Sequence, residues 1–429
     1  MNVSLHGIPT MPIHRNNKNA NNYLKPQQLP HKIYAQRNEC LTVKDSGRLF
    51  LADMSFNDDS RQSESMKEKT TLSAERPLRI CVVGVGGAGN GVLDRLVEKK
   101  ISGVDTVSIS ADPERLSLLK ADRKLILKGA VPIRGLARCC QPIIGEMAAR
   151  DQEEEIGEVV RRSDIVFLVA GLGCSVGTGA APVVAEIARK QGALVICVCT
   201  LPFDFEGRVR KDNAIDALNK LRDASNTAVL IPMDGFTEIF HGVHLDGWFR
   251  VSNELLAEVI RYFAVLFRMP SEPDTNRESL SKIFKNGEIA TIGMGESDSA
   301  SESGLEDAAE EAITSPLLVL DTSKAGYKYV PVGGKLIPVH VPPPVVPAKS
   351  VLITFWSDVD VPRDRVEKAT DLVRKGLPDR VVITSQTSPN QSLEGTARCM
   401  VMVTGVQLPE ELKEKQVHAS GIDRSIDSV

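Results

Sequence analysis

AGLGCSVGTGAAPVVAEIA, Ala170 to Ala188, carries an apolar strand through a glycine cluster and straight into a helix. The strand is IVFLVA, Ile165 to Ala170, a continuous apolar run with no solvated face, and it reads as a central parallel strand. In the turn, Gly171, Gly173, Gly177 and Gly179 let the backbone approach a ligand closely, and Ser175 and Thr178 add hydroxyls. A helix opening on such a turn aims unpaired N–H groups and the positive end of its dipole at an anion. Phosphate is the expected ligand; for one such cluster, a tight turn that binds nothing is the alternative.

A second cluster, VVGVGGAGN from Val82 to Asn90, follows the apolar segment Leu78 to Val83 and opens a helix near Asn90. Two phosphate-cradling turns in one sheet imply one nucleotide held between them. Taken alone, Gly84, Gly86 and Gly89 spell G-x-G-x-x-G, and Asp112 ends the next strand where a dinucleotide-binding domain places its ribose acid. An NAD(P)-dependent oxidoreductase is therefore an alternative. A dinucleotide fold has no need of the second glycine turn, and the second domain offers no His, Tyr and Lys grouping to serve such a reaction.

GVGGAGN at Gly84 to Asn90, the Gly-Thr-Gly of Gly177 to Gly179 leading into AAPVVAEIA, and PFDFEG at Pro202 to Gly207 together resemble the tubulin/FtsZ superfamily, on its FtsZ side. The similarity runs from about Arg79 to Val406. It implies an α/β fold: a parallel-sheet GTP-binding domain with helices on both faces, a long central helix, then a smaller α+β C-terminal domain. It also implies GTP/GDP and Mg2+ as ligands, and head-to-tail filaments built with itself or a second FtsZ-like protein. Cell division, in the cytoplasm and at the division site, is the implied setting.

The resemblance also assigns residues. Backbone N–H groups around Gly86, Gly87, Ala88, Gly89 and Asn90, and around Gly173, Cys174, Ser175, Gly177, Thr178 and Gly179, are expected to hold the phosphates. Glu206 and Arg210 match the ribose and phosphate-side positions; an ordinary i, i+4 surface pair is the other reading. Phe249 matches the base-stacking aromatic and Asn253 the guanine-bonding amide, while Gly91 stands where many relatives carry a second Asn.

Three departures bear on activity. The second turn reads GCSVGTG where the family's resembles GGGTGTG, so Cys174 adds a side chain and Val176 loses a hydroxyl. Both changes should lower affinity. The γ-phosphate loop, Arg134 to Pro142, carries Ala137 and Arg138 ahead of Cys139 and Cys140, where relatives have small, glycine-rich residues. Arg138 could neutralise phosphate charge in cis. In the family, a carboxylate loop of the next protomer positions the attacking water. The aligned positions here are Asn276 and Ser279, with Asp274 and Glu278 as candidate substitutes. Slow or absent GTP hydrolysis follows. A non-catalytic regulator or co-assembly partner of a more typical FtsZ is the alternative function.

Segments divide accordingly. Residues 1–77 are polar and aperiodic, an expected disordered extension; 78–249 form the GTP-binding domain, 250–269 the central helix, 270–406 the C-terminal domain and 407–429 a flexible tail. A Pro-rich insertion at 327–349 should be an edge hairpin turning at Gly333 and Gly334, followed by an extended loop. The acid-poor start lacks the Arg and Ser enrichment of an organelle-targeting peptide and has no signal-peptide pattern. A net charge of −4 gives no general attraction to nucleic acid, and no apolar run is long enough for a membrane span. The tail shows no peptide matching those that engage membrane tethers. The eight cysteines show no C-x-x-C pair, so neither a metal site nor a disulfide framework is expected.

Overall fold

The computed structural model describes residues 78–99, 101, 103–129, 140–239, 245–268, 283–284, 288–299, 303–318, 326–332, 335–341, 348–359, 361–375, 382–389 and 395–406, all within the compact unit Leu41–Val429. The predicted terminal extensions lie outside these residues, as do Ala137, Arg138, Asp274, Asn276, Glu278 and Ser279.

Strands and helices alternate as the apolar runs predict. β1 (Ile80–Val85) leads into α1 (Gly86–Glu98), β2 (Val104–Ser110) into α2 (Pro113–Leu118), and β3 (Arg123–Ile126) precedes α3 (Pro142–Arg150) and α4 (Glu153–Val160). Next come β4 (Ile165–Gly171), α5 (Ser175–Lys190), β5 (Leu194–Leu201), α6 (Arg208–Ala224), β6 (Thr227–Pro232), α7 (Asp234–Ile239) and α8 (Leu245–Leu266). The remaining strands are β7 (Glu288–Asp298), β8 (Gly326–Val332), β9 (Lys335–Val341), β10 (Ser350–Ser357), β11 (Val382–Pro389) and β12 (Thr396–Thr404).

All but β8 and β9 join one ten-stranded sheet, ordered β11-β10-β12-β7-β6-β5-β4-β1-β2-β3. From β3 to β7 every pairing is parallel; β12 runs antiparallel to both β7 and β10. The C-terminal strands thus extend the sheet of the glycine turns through β7. β8 and β9 pair with each other as the predicted hairpin, with Val332 opposite Lys335, but in a sheet of their own rather than on the edge of the main one.

Side-chain alternation along β1 separates two cores. Ile80 and Val82 pack with Val92, Leu93 and Leu96 of α1 and the apolar face of α8, whereas Cys81, Val83 and Val85 pack with residues of α3, α4, α5 and α6. A third cluster lies under helices Gly304–Ile313 and Arg363–Lys375. In α4, Ile156 and Val160 are buried while Glu154 and Glu155 are exposed, so its like-charge run forms a solvated face.

α8 begins before the predicted start at 250, and it is enclosed beyond its apolar face. Glu258 and Arg261 are 4% and 5% exposed, yet neither charge is isolated. Lys99, just past α1, reaches Glu254 at 2.5 Å and Glu258 at 2.7 Å, and Arg261 Nε donates to Glu258 at 2.9 Å. Burial alone would raise the Glu258 carboxyl, but Arg261 and Lys99 outweigh it and hold that group below the usual range.

At the far end of α8, buried Arg398 donates to Glu296 at 2.6 Å and to the Tyr262 hydroxyl at 3.0 Å, and the Tyr262 ring stacks on Trp356 at 4.0 Å. Removing one member of a buried ion pair typically costs about 3–5 kcal/mol, because the other charge stays in a low dielectric. Arg398→Leu should therefore lower the denaturant-extrapolated stability by about that amount at pH 7.5. Burial already raises the Glu296 carboxyl against the pull of Arg398. Without Arg398 its folded-state pKa moves further above the unfolded value, so the deficit grows as pH rises and shrinks at pH 5, where the group takes a proton. A variant equally stable at both pH values would contradict this role.

Candidate functional site

The register of β1 on β4 sets Val85 beside Ala170, so both glycine turns leave neighbouring parallel strands at the same end of the sheet. They touch: a Cβ on Gly86 would lie 2.9 Å from the Gly177 nitrogen. Gly86 also has φ +72, a left-handed backbone that disfavours any side chain. Neither α1, preceded by Val85, nor α5, preceded by Cys174, has a side-chain N-cap bond or an acidic residue in its first turn. Such helix starts suit an external anion.

α2 is the contrast. Asp112 accepts from the N–H groups of Glu114 at 3.0 Å and Arg115 at 3.1 Å, so it caps a helix and does not present a ribose acid. The signal behind the dinucleotide reading is accounted for by this cap.

The structure divides the predicted phosphate residues by role. Gly87 and Ala88 are exposed at the start of α1, and Gly86 and Gly177 meet beneath them. The Asn90 side chain turns inward, donating to the Ile109 carbonyl at 3.0 Å and accepting from Ser108 at 2.7 Å. Thr178 accepts from the Gly173 N–H at 2.8 Å, which commits both groups to the turn itself. Ser175 accepts from Gln141 N–H at 3.2 Å. Gly89 and Gly179 serve close packing: a Cβ would fall 2.1 Å from the Val169 carbonyl oxygen in the first case and 1.9 Å from that of Pro142 in the second. Val176 is buried in the core, so the hydroxyl lost there is not lost from an open surface. Cys174 is half-buried; burial pushes its thiol up while Arg210 opposes the shift.

The remaining predicted residues continue the same rim. Arg210 packs over Gly173, whose Cβ would lie 3.1 Å from Arg210 Cβ, and Arg210 is ion-paired with Glu206. Glu206 in turn accepts from the Phe203 N–H at 3.1 Å. Phe203 meets Phe249 edge-on at 5.7 Å, and Phe249 keeps 41% of its surface exposed. One turn further along α8, Asn253 stands against Gly91, where a Cβ would lie 2.7 Å from its amide nitrogen. Below the rim, the Asp204 N–H donates to Asp234 at 3.0 Å; burial and then the Asp204 carboxyl raise Asp234 to about 6.

Two polar residues of this region are absent from the motif reading. Asn213 donates to the Cys140 carbonyl at 3.0 Å and reaches the Gly173 carbonyl at 3.5 Å, tying the second turn to the segment before α3. Arg115 places its guanidinium 3.5 Å from the Gly87 carbonyl, over the first turn. The only sequence signal for Arg115 is its place three residues after a helix-capping Asp.

Among the described residues no cluster of three or more His, Cys, Asp or Glu is placed to hold a metal ion, and no helix is long and apolar enough to cross a membrane. The Tubulin/FtsZ family GTPase domain matches residues 79–241. Cell division protein FtsZ 1 of Methanocaldococcus jannaschii is 35% identical over 365 residues, covering 83% of this chain and 93% of the relative. FtsZ 1 of Archaeoglobus fulgidus is 35% identical over 341 residues, covering 78% and 84%. A solved FtsZ dimer from M. jannaschii, described as empty, matches with a TM-score of 0.65 at 33% identity over 82% of this chain and 93% of its own. CetZ2 of Haloferax volcanii, in a GTPγS-bound protofilament, has a TM-score of 0.63 at 18% identity, a likeness of fold alone. The two touching glycine turns, the PFDFEG segment and these matches converge, and the chain belongs to the tubulin/FtsZ family.

Proposed function

We propose that this chain binds GTP and GDP between its two glycine turns and assembles head to tail into filaments in cell division, hydrolysing GTP slowly or not at all. The observation that supports nucleotide binding best is the pair of uncapped helix starts meeting at Gly86 and Gly177. Gly87 and Ala88 offer backbone donors to phosphate, Glu206 and Arg210 lie toward the sugar, and Phe249 and Asn253 toward the base. Mg2+ generally keeps several waters and binds through substrate phosphates with one or two carboxylates, so it requires no cluster of protein ligands.

Slow turnover rests on Asn276 and Ser279 at the two positions where the family has carboxylates. Neither side chain can act as a general base at neutral pH, and losing one typically slows a reaction about 10²- to 10⁴-fold. The same substitutions favour persistent filaments. They are also compatible with a chain that caps or modulates the polymer of a more typical relative.

Sedimentation with GTP, paired with phosphate release across a protein concentration series, tests the proposal. Unaided pelleting with little phosphate release is expected. Shortening of a relative's filaments without pelleting would favour the cap, and brisk release rising per protomer with concentration would refute slow hydrolysis.

A further inference from the structure

Arg115 differs from four arginines of the sheet domain that are held in ion pairs. Arg95, Arg123, Arg150 and Arg161 each hold a carboxylate at hydrogen-bond distance. Arg115 is exposed, and its guanidinium meets only the Gly87 carbonyl at 3.5 Å; among the described residues it has no carboxylate partner. A contact of that length is weak and cannot hold the group against a competing anion.

Its position is nevertheless fixed from below. The Ser110 hydroxyl accepts from the Asp112 N–H at 3.1 Å, and the Asp112 carboxylate accepts from the Glu114 and Arg115 N–H groups. β2 lies beside β1, with Ile109 opposite Val85, so this cap is built at the same sheet end as the first turn. The guanidinium Nη1 lies 3.4 Å from where a Cβ on Gly87 would be, over the exposed start of α1. A guanidinium suits the oxygens of a polyphosphate better than a carbonyl, because charge-assisted bonds to phosphate are shorter and stronger.

We infer that Arg115 is a phosphate-binding residue, a cation supplied in cis to the first turn that favours the nucleotide with more phosphate charge. The inference rests on the proposed nucleotide reading and adds to it a preference for triphosphate over diphosphate. Asp112 is then a positioning residue, acting on the ligand through Arg115.

Titrations of GTP, GDP and guanosine into the full-length protein and its Arg115→Ala, Arg115→Lys and Arg123→Ala variants test it at low salt. Arg115→Ala should weaken GTP binding about tenfold, GDP binding less, and guanosine binding not at all. Arg115→Lys should keep part of the GTP affinity. Arg123→Ala, which removes the same charge from an arginine paired with Asp105, should leave all three unchanged. Wild-type protein that binds none of the ligands would remove the nucleotide reading and this inference with it. Wild-type protein that binds GTP as tightly as Arg115→Ala, or equal weakening of guanosine and GTP in that variant, would overturn the role of Arg115 alone.

Discussion

Gly86→Ala is expected to weaken GTP binding at least about 100-fold, a loss of about 2.7 kcal/mol. Two effects combine. The backbone at Gly86 has φ +72, which costs a residue with a Cβ about 1–2 kcal/mol. The new methyl would also lie 2.9 Å from the Gly177 nitrogen and 3.3 Å from Gly177 Cα, forcing the two turns apart at their point of contact. A phosphate bridging both helix starts then loses one of them. Gly192→Ala separates strain from crowding: Gly192 has φ +88, but nothing lies within 4 Å of its Cβ position. It should lose stability without losing GTP affinity. Calorimetric titration of the two variants, each shown to be folded by circular dichroism, gives the comparison. A folded Gly86→Ala protein with wild-type affinity would mean the turns do not act together.

Asn276→Asp combined with Ser279→Asp should raise GTP turnover about 10²- to 10⁴-fold in assembled protein. The gain should appear only as subunit concentration rises, because in the proposed head-to-tail filament the introduced carboxylates would act on nucleotide held by a neighbouring protomer. Phosphate release measured above and below the concentration at which the protein pellets distinguishes this from a contaminating phosphatase. Filaments that still form without any gain would count against the placement of Asn276 and Ser279 at those positions.

Much of this architecture was legible in residue order alone. IVFLVA and the stretch from Ile80 to Val83 are apolar without interruption, as a central parallel strand buried on both faces requires. Glycines directly after each strand then localise the turns. The apolar spacing from Val251 to Phe267 located α8, but not the pairing of Glu258 with Lys99, because the partner lies on another element far away in the chain. Arg398 and Glu296 were hidden for the same reason, since their bond spans 102 residues and depends on β12 folding back along β7.

Within the site, sequence position identified the turns more reliably than the individual groups. Asn90 and Thr178 are polar residues at ligand-like positions, yet each completes a local hydrogen bond that spacing cannot reveal. Asp112 is the sharper case. An acid at a strand end serves equally well as a ribose partner or a helix cap, and only the N–H groups of Glu114 and Arg115 decide between them.

Calorimetry of GTP titrated into the purified full-length chain tests most directly whether the two helix starts hold one guanosine polyphosphate. The account predicts saturable heat at one nucleotide per chain, displaced by GDP and shifted to at least about 100-fold weaker binding by Gly86→Ala. Absence of heat with both GTP and GDP from folded protein would contradict it.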